Sequence, residues 1–326
     1  ILTIGSATVD HFADTDSELI RIDTRRHHEE LIAFPLGSKL LINDLKTTVG
    51  GGGTNTAVAF SHLGLNTAYL GKIGDDAAGD FVIDLLERES ISFIGARKGQ
   101  TGFSVILNSI KDDRSILAYK GANDHLLPED IIDFESEWIY LSSMLGESWK
   151  TVLKLIESRK VKLAFNPSNY QAEQGYRALS ELVDRVDLLI MNREEASKFL
   201  GLDYHEDDDI QMLLSSLHAL VPKIVVITDG SKGAFACDGT HLFHGAPITN
   251  IDILETTGAG DAFAATFTAA IIKGNKIESA LDYAMTNAES VLQYKGAKER
   301  LLGWDELTSL VKQQNRLIEA VNDHTT

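Results

Sequence analysis

The sequence is poor in cysteine and in basic residues, and it has no long apolar run. A single cysteine, Cys237, excludes an intramolecular disulfide and a cysteine-based metal cluster. With 30 Lys and Arg against 48 Asp and Glu, the formal charge is −18, which argues against a nucleic-acid-binding surface. No apolar run reaches membrane-spanning length and no signal-peptide pattern opens the chain, so we expect a cytoplasmic protein without membrane or nucleic-acid partners.

The composition is otherwise that of a soluble globular enzyme. The 326 residues permit one large α/β domain or two smaller ones, with 44% hydrophobic and 24% charged residues. Because the overall charge repels anions, an anionic substrate has to be held by local dipoles, a metal ion or a few basic residues.

Short apolar segments alternate with segments of helical length in the second half of the chain. Strands are predicted at 138–141, 161–165, 186–191 and 224–228, with a hairpin around Asp238-Gly239, and helices at 149–159, 171–183, 194–200 and 210–220. Three further helices are predicted at 262–273, 277–293 and 304–321. Such repetition indicates a parallel sheet with helices on both faces.

The first half has a different pattern. Residues 1–5 are typical of a buried strand, and a loop over 6–10 places Asp10 beyond it, as a ligand contact or as a turn residue. Residues 14–46 are dense in charge without a helical period, which favours a small antiparallel sheet. A hairpin of 101–107 with 115–119 is assigned to the same sheet, which would serve as a lid, a dimer surface or both.

A run of glycines, Gly50 to Gly53, precedes a helix predicted at 58–63. Glycines let a polar ligand approach the backbone, and Asn55 either caps the helix or binds hydroxyl groups. Asn55 stands where a dinucleotide fingerprint has its third glycine, and no GxxxxGKS/T loop occurs in the sequence. A Rossmann dehydrogenase is therefore disfavoured.

A second glycine turn lies near the end of the chain. Gly258-Ala259-Gly260 is followed by Asp261 and by an apolar segment of helical length. A helix that begins here offers unpaired N–H groups and a positive dipole end to an anion. Asp261 is then either an ordinary first-turn acid or a general base beside a bound phosphate.

Most polar motifs follow predicted strands, so we expect them along one rim of the sheet. Five motifs, in order and spacing, resemble the ribokinase-like (PfkB) sugar kinase family over nearly the full length of the chain. They are GGGGTNTA (50–57), GKIGDDAAG (71–79), NREE (192–195), TDGSKG (228–233) and TTGAGD (256–261). One glycine motif alone is weak evidence, whereas five in order are specific.

The resemblance implies a three-layer α/β/α fold with a central, mostly parallel sheet and a small β-sheet lid. The main nucleotide-binding and catalytic domain would comprise residues 1–13, 47–100 and 120–326, and the lid residues 14–46 and 101–119. Because the lid in relatives often clasps a second subunit, a homodimer is expected.

The resemblance also implies a role for each matching residue. Asp261 looks like the base that takes the proton of the acceptor hydroxyl. The anion hole would be formed by the backbone N–H groups of Ala259, Gly260 and Asp261, in the catalytic turn that begins at Gly258. The sugar contacts would be Asp10, Gly51, Gly52 and Asn55. The nucleotide contacts would be Asn192, Thr228, Gly230, Gly233 and, near the adenine, Asn287. Glu195 would act on Mg²⁺ through water, although helix capping is the alternative for Asn192 and Glu195.

Two positions depart from the family pattern. Glu255 stands where ribokinase has an Asp of a monovalent-cation site, so a K⁺ site is kept, altered or lost. Ser142-Ser143-Met144 replaces a segment in which ribokinase has a sugar-contacting Glu, which weakens a specific prediction of ribose.

The expected activity is a carbohydrate kinase reaction, transfer of the γ-phosphoryl group of Mg-ATP to a hydroxymethyl group of a sugar or sugar-like substrate. A nucleoside kinase of the same fold and a non-catalytic nucleotide or sugar sensor are the alternatives. The intact GAGD motif argues against a sensor, because a pure binder has no need of a base there.

Overall fold

The structure, a computed structural model, describes residues 1–14, 19–23, 28–32, 36–37, 39, 41–108, 114–205, 209–221, 223–248, 251–294 and 296–321. The strands are β1 (Leu2–Ile4), β2 (Thr8–Asp14), β3 (Leu19–Asp23), β4 (His28–Ile32), β5 (Asp44–Gly50), β6 (Ala68–Leu70), β7 (Lys72–Ile73), β8 (Ser92–Phe93), β9 (Ala96–Arg97), β10 (Gly102–Asn108), β11 (Arg114–Tyr119), β12 (Trp138–Leu141), β13 (Lys162–Phe165), β14 (Leu188–Asn192), β15 (Ile224–Thr228), β16 (Ala234–Cys237), β17 (Leu242–Gly245) and β18 (Ile318–Ala320). The helices are α1 (Gly52–His62), α2 (Ala77–Arg88), α3 (Gly146–Glu157), α4 (Asn169–Ala172), α5 (Gly175–Ala178), α6 (Ser180–Val183), α7 (Arg193–Phe199), α8 (Ile210–Leu220), α9 (Ala259–Ile272), α10 (Ile277–Leu292) and α11 (Trp304–Gln314).

The large sheet has the strand order β18-β17-β16-β15-β14-β13-β12-β1-β6-β8. Neighbouring strands from β8 to β15 run parallel, and β16, β17 and β18 extend this edge as an antiparallel meander. The predicted α/β fold with a central, mostly parallel sheet is confirmed.

Alternate residues of the central strands face two separate cores. In β14, Leu188 and Ile190 pack with the layer that contains α1, α9 and α10. Leu189 and Met191 pack with the layer that contains α3, α7 and α8. This period of two is what a strand buried on both faces requires. Among the described residues, no helix is both long enough and apolar enough to cross a bilayer.

A smaller sheet has the order β11-β10-β2-β5. The predicted hairpin is observed as the antiparallel pair β10–β11. The prediction of a loop up to Asp10 is wrong, because Thr8 to Asp14 form a strand between β10 and β5. Of the segment predicted as lid, β3 and β4 form an antiparallel pair, whereas residues 15–18, 24–27, 33–35, 38 and 40 lie outside the described residues.

Two predicted helices end differently in the structure. The helix predicted over 171–183 is divided into α4, α5 and α6, and Gly175, the first residue of α5, has φ = 73°. The last helix ends at Gln314, where Asn315 adopts φ = 48°, a left-handed conformation that terminates helices. Residues 318–320 then pair with β17, so their prediction as helix is wrong.

Candidate active site

A cleft lies across the carboxyl ends of the parallel strands, where the polar motifs were predicted. Asn192 ends β14, Thr228 ends β15, and Ser142 and Asn166 directly follow β12 and β13. The cleft has a volume of about 430 Å³, and it is also lined by Gly52, Glu195, Gly258, Gly260 and Asp261. Residues from the ends of four strands and from the starts of three helices, α1, α7 and α9, thus meet at this cleft.

Helix α9 begins at this cleft with a left-handed glycine. Gly258 has φ = 82°, and a Cβ there would overlap Ala297. Gly260 is different, because nothing lies within 4 Å of the position that its Cβ would take. The first N–H groups of a helix lack partners within the helix. Those of Ala259, Gly260 and Asp261 therefore offer an anion site at the cleft. The Ala259 N–H makes a long hydrogen bond, over 3.4 Å, to the Thr256 carbonyl oxygen, for which an anion would compete.

Asp261 lies in the first turn of α9 and is held by one hydrogen bond. Asn55 Nδ2 donates to Asp261 Oδ2 over 2.8 Å. Burial raises the pKa of Asp261, and the charge of Asp10 acts in the same direction, whereas the Asn55 hydrogen bond and the charge of Lys298 lower it. The carboxylate is thus oriented and kept more basic than a surface aspartate.

Helix α1 directs its first turn at the same place. Gly51 is its N-cap at φ = 97°. A Cβ on Gly52 would overlap the Ser142 hydroxyl and would lie 3.7 Å from Asp261 Oδ1. The N-termini of α1 and α9 therefore converge on Asp261, and the absence of a side chain at Gly52 lets the Ser142 hydroxyl and Asp261 lie close to the backbone of α1.

Asp10 lies on the far side of this glycine run, in β2. Its Oδ1 accepts a hydrogen bond from Thr8 Oγ1 over 2.9 Å, and a Cβ on Gly50 would overlap its carboxylate. Asp10 is not among the residues that line the 430 Å³ cleft. Its charge nevertheless contributes to the raised pKa of Asp261.

Asn192 and Glu195 form a reciprocal capping box at the start of α7. The Glu195 N–H donates to Asn192 Oδ1 over 2.8 Å, and the Asn192 N–H donates to Glu195 Oε2 over 3.0 Å. The capping alternative is therefore realised for both residues, and both also line the cleft. Burial raises the pKa of Glu195 to about 7, and the carboxylates of Glu194 and Asp261 contribute. An anionic Glu195 is thus costly in the absence of a cation.

The loop after β15 combines one cleft residue with two left-handed glycines. Thr228 lines the cleft. Gly230 has φ = 50° with open space around it, whereas Gly233 has φ = 92° and packs on the Gly245 carbonyl. Asp229, between Thr228 and Gly230, forms a largely buried ion pair with Arg193 of α7. The ion pair fixes this loop to the helix that carries Glu195.

Asn287 and Glu255, both predicted as site residues, do not line the cleft and are held by hydrogen bonds to other segments. Asn287 is fully buried, donates to Thr266 Oγ1 over 2.7 Å and accepts from the Leu302 N–H over 3.0 Å. Glu255 Oε2 accepts a hydrogen bond from the Gly296 N–H over 2.8 Å. In this arrangement both side chains join neighbouring segments, and their ligand roles stay predictions.

Two features of the site could not be predicted from the sequence, the hydrogen bonds among the serines of the cleft wall and the lysine that reaches Asn55. Ser168 Oγ donates to Ser143 Oγ over 2.7 Å, and Ser143 Oγ donates to Gln171 Oε1 over 2.8 Å. Lys298 Nζ contacts Asn55 Oδ1 over 2.6 Å. The only local signal for Lys298 was its place directly after the Gly296-Ala297 turn.

Comparison with known proteins agrees with this geometry. Residues 13–302 match the family model described as pfkB family carbohydrate kinase. The chain belongs to the PfkB family. An uncharacterized sugar kinase of Archaeoglobus fulgidus is 29% identical over 255 residues, which cover 75% of this chain and 98% of the relative. A ribokinase of Arabidopsis thaliana is 26% identical over 306 residues, 91% of this chain and 77% of the relative. The chain is thus a carbohydrate kinase, in the class of sugar and nucleoside kinases.

Solved structures of this family share the fold. The nucleoside kinase of Methanocaldococcus jannaschii has a TM-score of 0.77 at 20% identity, covering 96% of this chain and 98% of that chain. The ribokinase of Arabidopsis thaliana complexed with ribose and ATP also has a TM-score of 0.77, at 23% identity, covering 95% and 98%. The ribokinase-like fold predicted from the PfkB motifs is therefore confirmed.

Proposed function

We propose that this PfkB kinase transfers the γ-phosphoryl group of Mg-ATP to a hydroxymethyl group of a sugar or sugar-like substrate, with Asp261 as the base. The observation that carries the proposal is the position of the Asp261 carboxylate, which lies in the cleft and in the first turn of α9. A base and an anion site on adjacent residues suit phosphoryl transfer, which depends on positioning and charge stabilisation. The relative complexed with ribose and ATP supports this choice of ligands.

The hydrogen bond from Asn55 assigns different roles to the two oxygens of Asp261. Oδ2 is held by Asn55 Nδ2, and Oδ1 lies toward Gly52 and Ser142. We assign proton acceptance from the substrate hydroxyl to Oδ1. Its basicity benefits from the burial that raises the pKa of Asp261, because a general base works best near the operating pH.

The travelling phosphoryl group would lie against the start of α9. The N–H groups of Ala259, Gly260 and Asp261 donate to its oxygens, and the positive end of the helix dipole stabilises the charge. Such local donors are necessary in a chain with a formal charge of −18. Thr228, Gly230 and Gly233 would contact the remaining phosphates.

Glu195 fits a magnesium ion that arrives with the nucleotide. Among the described residues, no group of three or more His, Cys, Asp or Glu is arranged to hold a metal by itself. Magnesium commonly uses one or two carboxylates together with phosphates and waters. Glu195, with a pKa raised to about 7 by burial, gains most from a nearby cation, and Asn192 would orient a coordinated water. The ion would neutralise phosphate charge.

A nucleoside acceptor is the second candidate, and one side chain favours it. Tyr170 lines the cleft and is 51% exposed, with Lys120 Nζ 5.2 Å from its ring centroid. An exposed aromatic face on a cleft wall offers a stacking surface for a base. Asn287 would act on the adenine through the segments that it joins. Glu255 accepts the Gly296 N–H with Oε2, so a K⁺ ion would be contacted by its other oxygen, Oε1.

The test is a phosphate-transfer screen over sugars, sugar acids and nucleosides with Mg-ATP, run with and without K⁺. On the best substrate, we expect Asp261→Asn to lower kcat on the order of 10²–10⁴-fold while ATP affinity is retained. The matched control is Asp133→Asn, an exposed aspartate paired with Arg159, which should keep full activity. Wild-type turnover by Asp261→Asn would refute the base assignment, and ATP binding without transfer to any acceptor would favour a sensor.

A further inference from the structure

A lysine that the proposed mechanism does not use lies beside the base. Lys298 Nζ donates to Asn55 Oδ1 over 2.6 Å and to the Val49 carbonyl oxygen. Asn55 in turn donates to Asp261 Oδ2 over 2.8 Å. The three side chains therefore form one chain of hydrogen bonds from an ammonium group to a carboxylate.

This chain fixes which way the Asn55 amide points. An ammonium group only donates hydrogen bonds and a carboxylate only accepts them. With Lys298 on one side and Asp261 on the other, the amide oxygen must face the lysine and the amide NH₂ must face the aspartate. The reversed amide would place NH₂ against NH₃⁺ and oxygen against oxygen. Lys298 thus selects the rotamer in which Asp261 Oδ2 is held.

Lys298 also interacts electrostatically with the carboxylates of Asp10 and Asp261. Burial lowers the pKa of Lys298 to about 8, and the charges of Asp10 and Asp261 oppose this lowering. Conversely, the charge of Lys298 lowers the pKa of Asp261, against the effect of burial. The coupling between the two side chains is therefore mutual, as linkage requires.

We infer that Lys298 is a positioning residue of the transfer reaction, which orients the Asn55 amide toward Asp261 and supplies the charge that keeps Asp261 ionised as the base. The inference rests on the proposed kinase function, and it names a residue outside the five family motifs. Lys298 acts through Asn55 and through its field, and it does not contact the reacting atoms in this arrangement.

The titration of this cluster depends on groups from several elements. Asn55 of α1 and Lys298 lower the pKa of Asp261, Asp10 of β2 raises it, and Asp261 itself raises the pKa of Glu195 and of Tyr140. The carboxylates that act on Lys298 are those of Asp10, Asp261, Glu299 and Glu89. The activity of each variant therefore has to be compared with that of the wild type at the same pH.

The first test is a pH profile of kcat/KM with Mg-ATP and the best acceptor from the screen. We expect Lys298→Met to move the acidic limb up by about one pH unit, because loss of a nearby opposite charge raises a carboxyl pKa. At pH 7 kcat should fall on the order of 10–100-fold, as for a misplaced catalytic group. Lys298→Arg, which keeps the charge and the donors, should return the limb toward the wild-type position.

The matched control is Lys72→Met. Lys72 is 5% exposed and donates to the His125 carbonyl oxygen and to Asp130, so its loss removes a buried lysine without touching Asn55. We expect it to lower the melting temperature and to leave the acidic limb in place. An equal shift of the limb in Lys72→Met would show that the effect of Lys298→Met is general destabilisation and would overturn the inference.

A double-mutant cycle tests the route through Asn55. If Lys298 acts by orienting this amide, Lys298→Met should lower kcat far less in an Asn55→Leu background than in the wild type. Effects that multiply in the double variant, together with an unmoved acidic limb in Lys298→Met, would overturn the inference while the kinase assignment stands.

A second readout does not require catalysis. The pKa of Lys298 can be followed by lysine-selective ¹³C NMR, with its resonance assigned by its loss in Lys298→Arg. We expect Asp261→Asn to lower this pKa and Asp133→Asn to leave it unchanged. If the wild type transferred phosphate to no acceptor, the proposed function would fail but this titration would still decide the coupling. An unchanged Lys298 pKa in Asp261→Asn would refute it.

Discussion

At the scale of single residues, Glu195 shows how one side chain serves both the fold and the site. It completes the capping box of α7, which stabilises the helix, and it lines the cleft. Burial raises its pKa from 4.5 to about 7. Ionisation of Glu195 therefore destabilises the folded protein when no cation is bound, and a bound cation would offset this cost. The burial of Glu195 thus favours its proposed role beside a metal ion.

The sign of the pH dependence follows from that raised pKa. Between about pH 4.5 and 7 the folded protein holds a proton on Glu195 that the unfolded chain has released, so rising pH lowers the free energy of unfolding across this window. Between pH 5 and 8 this titration should lower the free energy of unfolding by at most about 3 kcal/mol. We expect Glu195→Gln, whose side chain can still cap the helix, to abolish this decrease. Urea unfolding at both pH values measures it.

The control for this experiment is Glu181→Gln, on an exposed position of α6. It should show the same difference between pH 5 and 8 as the wild type. If Glu195→Gln also kept the wild-type difference, burial would not be acting on Glu195 and its assignment to the metal would lose its physical basis.

At the scale of elements, the start of α9 separates structural glycine from functional glycine. Gly258 needs its left-handed φ of 82° and the space beside Ala297, so Gly258→Ala should destabilise the fold by about 1–3 kcal/mol. Gly260 meets nothing within 4 Å. Gly260→Ala should leave stability equal or raise it by up to about 1 kcal/mol, because alanine favours helix.

The variant that leaves the fold intact, Gly260→Ala, should be the one that disturbs ligand binding. A methyl group at Gly260 projects into the space proposed for the phosphoryl group, so we expect Gly260→Ala to weaken ATP binding and to lower kcat in a fully folded protein. Thermal unfolding combined with ATP titration measures both properties. A Gly260→Ala protein with wild-type kcat would show that the phosphoryl group does not lie against this turn.

The elements that the sequence predicted well are those defined by local pattern. The buried strands β12 and β15 and the helices α8, α9 and α10 follow from apolar periodicity. The motifs after strands led directly to the cleft, because the ends of parallel strands share one edge. In particular, the motif at residues 255–261 predicted both the base and the start of the helix that carries it.

The elements that were missed depend on partners remote in sequence. Residues 8–14 become β2 only because β5 and β10 flank them, and residues 318–320 become β18 only because β17 offers an edge. Lys298 and Asn55 are 243 residues apart and meet through the fold. These pairings cannot be predicted from a short stretch of sequence, because they depend on contacts between distant segments and not on the local propensity for a strand.

At the scale of the whole molecule, the turn at residues 296–299 connects three parts of the site. Ala297 packs against Gly258 at the start of α9. Lys298 reaches the Val49 carbonyl and Asn55, and Glu299 pairs with Lys46 of β5 over 3.1 Å. One turn therefore contacts the start of α9, the Asn55 side chain that holds the base, and the small sheet. A movement of the small sheet would thus change the surroundings of Asp261.

The small sheet β11-β10-β2-β5 has an edge with both faces uncovered. Ile116 and Leu117 are adjacent in β11, so they point to opposite faces, and they are 54% and 60% exposed. Leu45 in β5 and Phe103 in β10 are also exposed. Apolar side chains on both faces need cover in the working protein, which a substrate in the cleft and a second subunit would each provide.

We propose that this sheet is the lid, and that its two faces can be told apart by hydrogen exchange of the full chain. Residues 120 and 124, which follow β11, line the cleft. We therefore expect amides of β10 and β11 to exchange more slowly when the acceptor sugar binds, since closure excludes water from the site.

A dimer contact instead predicts slower exchange as the protein concentration rises, without any ligand. The β16–β17 hairpin, near one edge of the large sheet, is the internal control and should respond to neither variable. Exchange of β10 and β11 that is indifferent to the sugar would refute the lid, and exchange indifferent to concentration, with a monomer mass throughout, would refute the dimer.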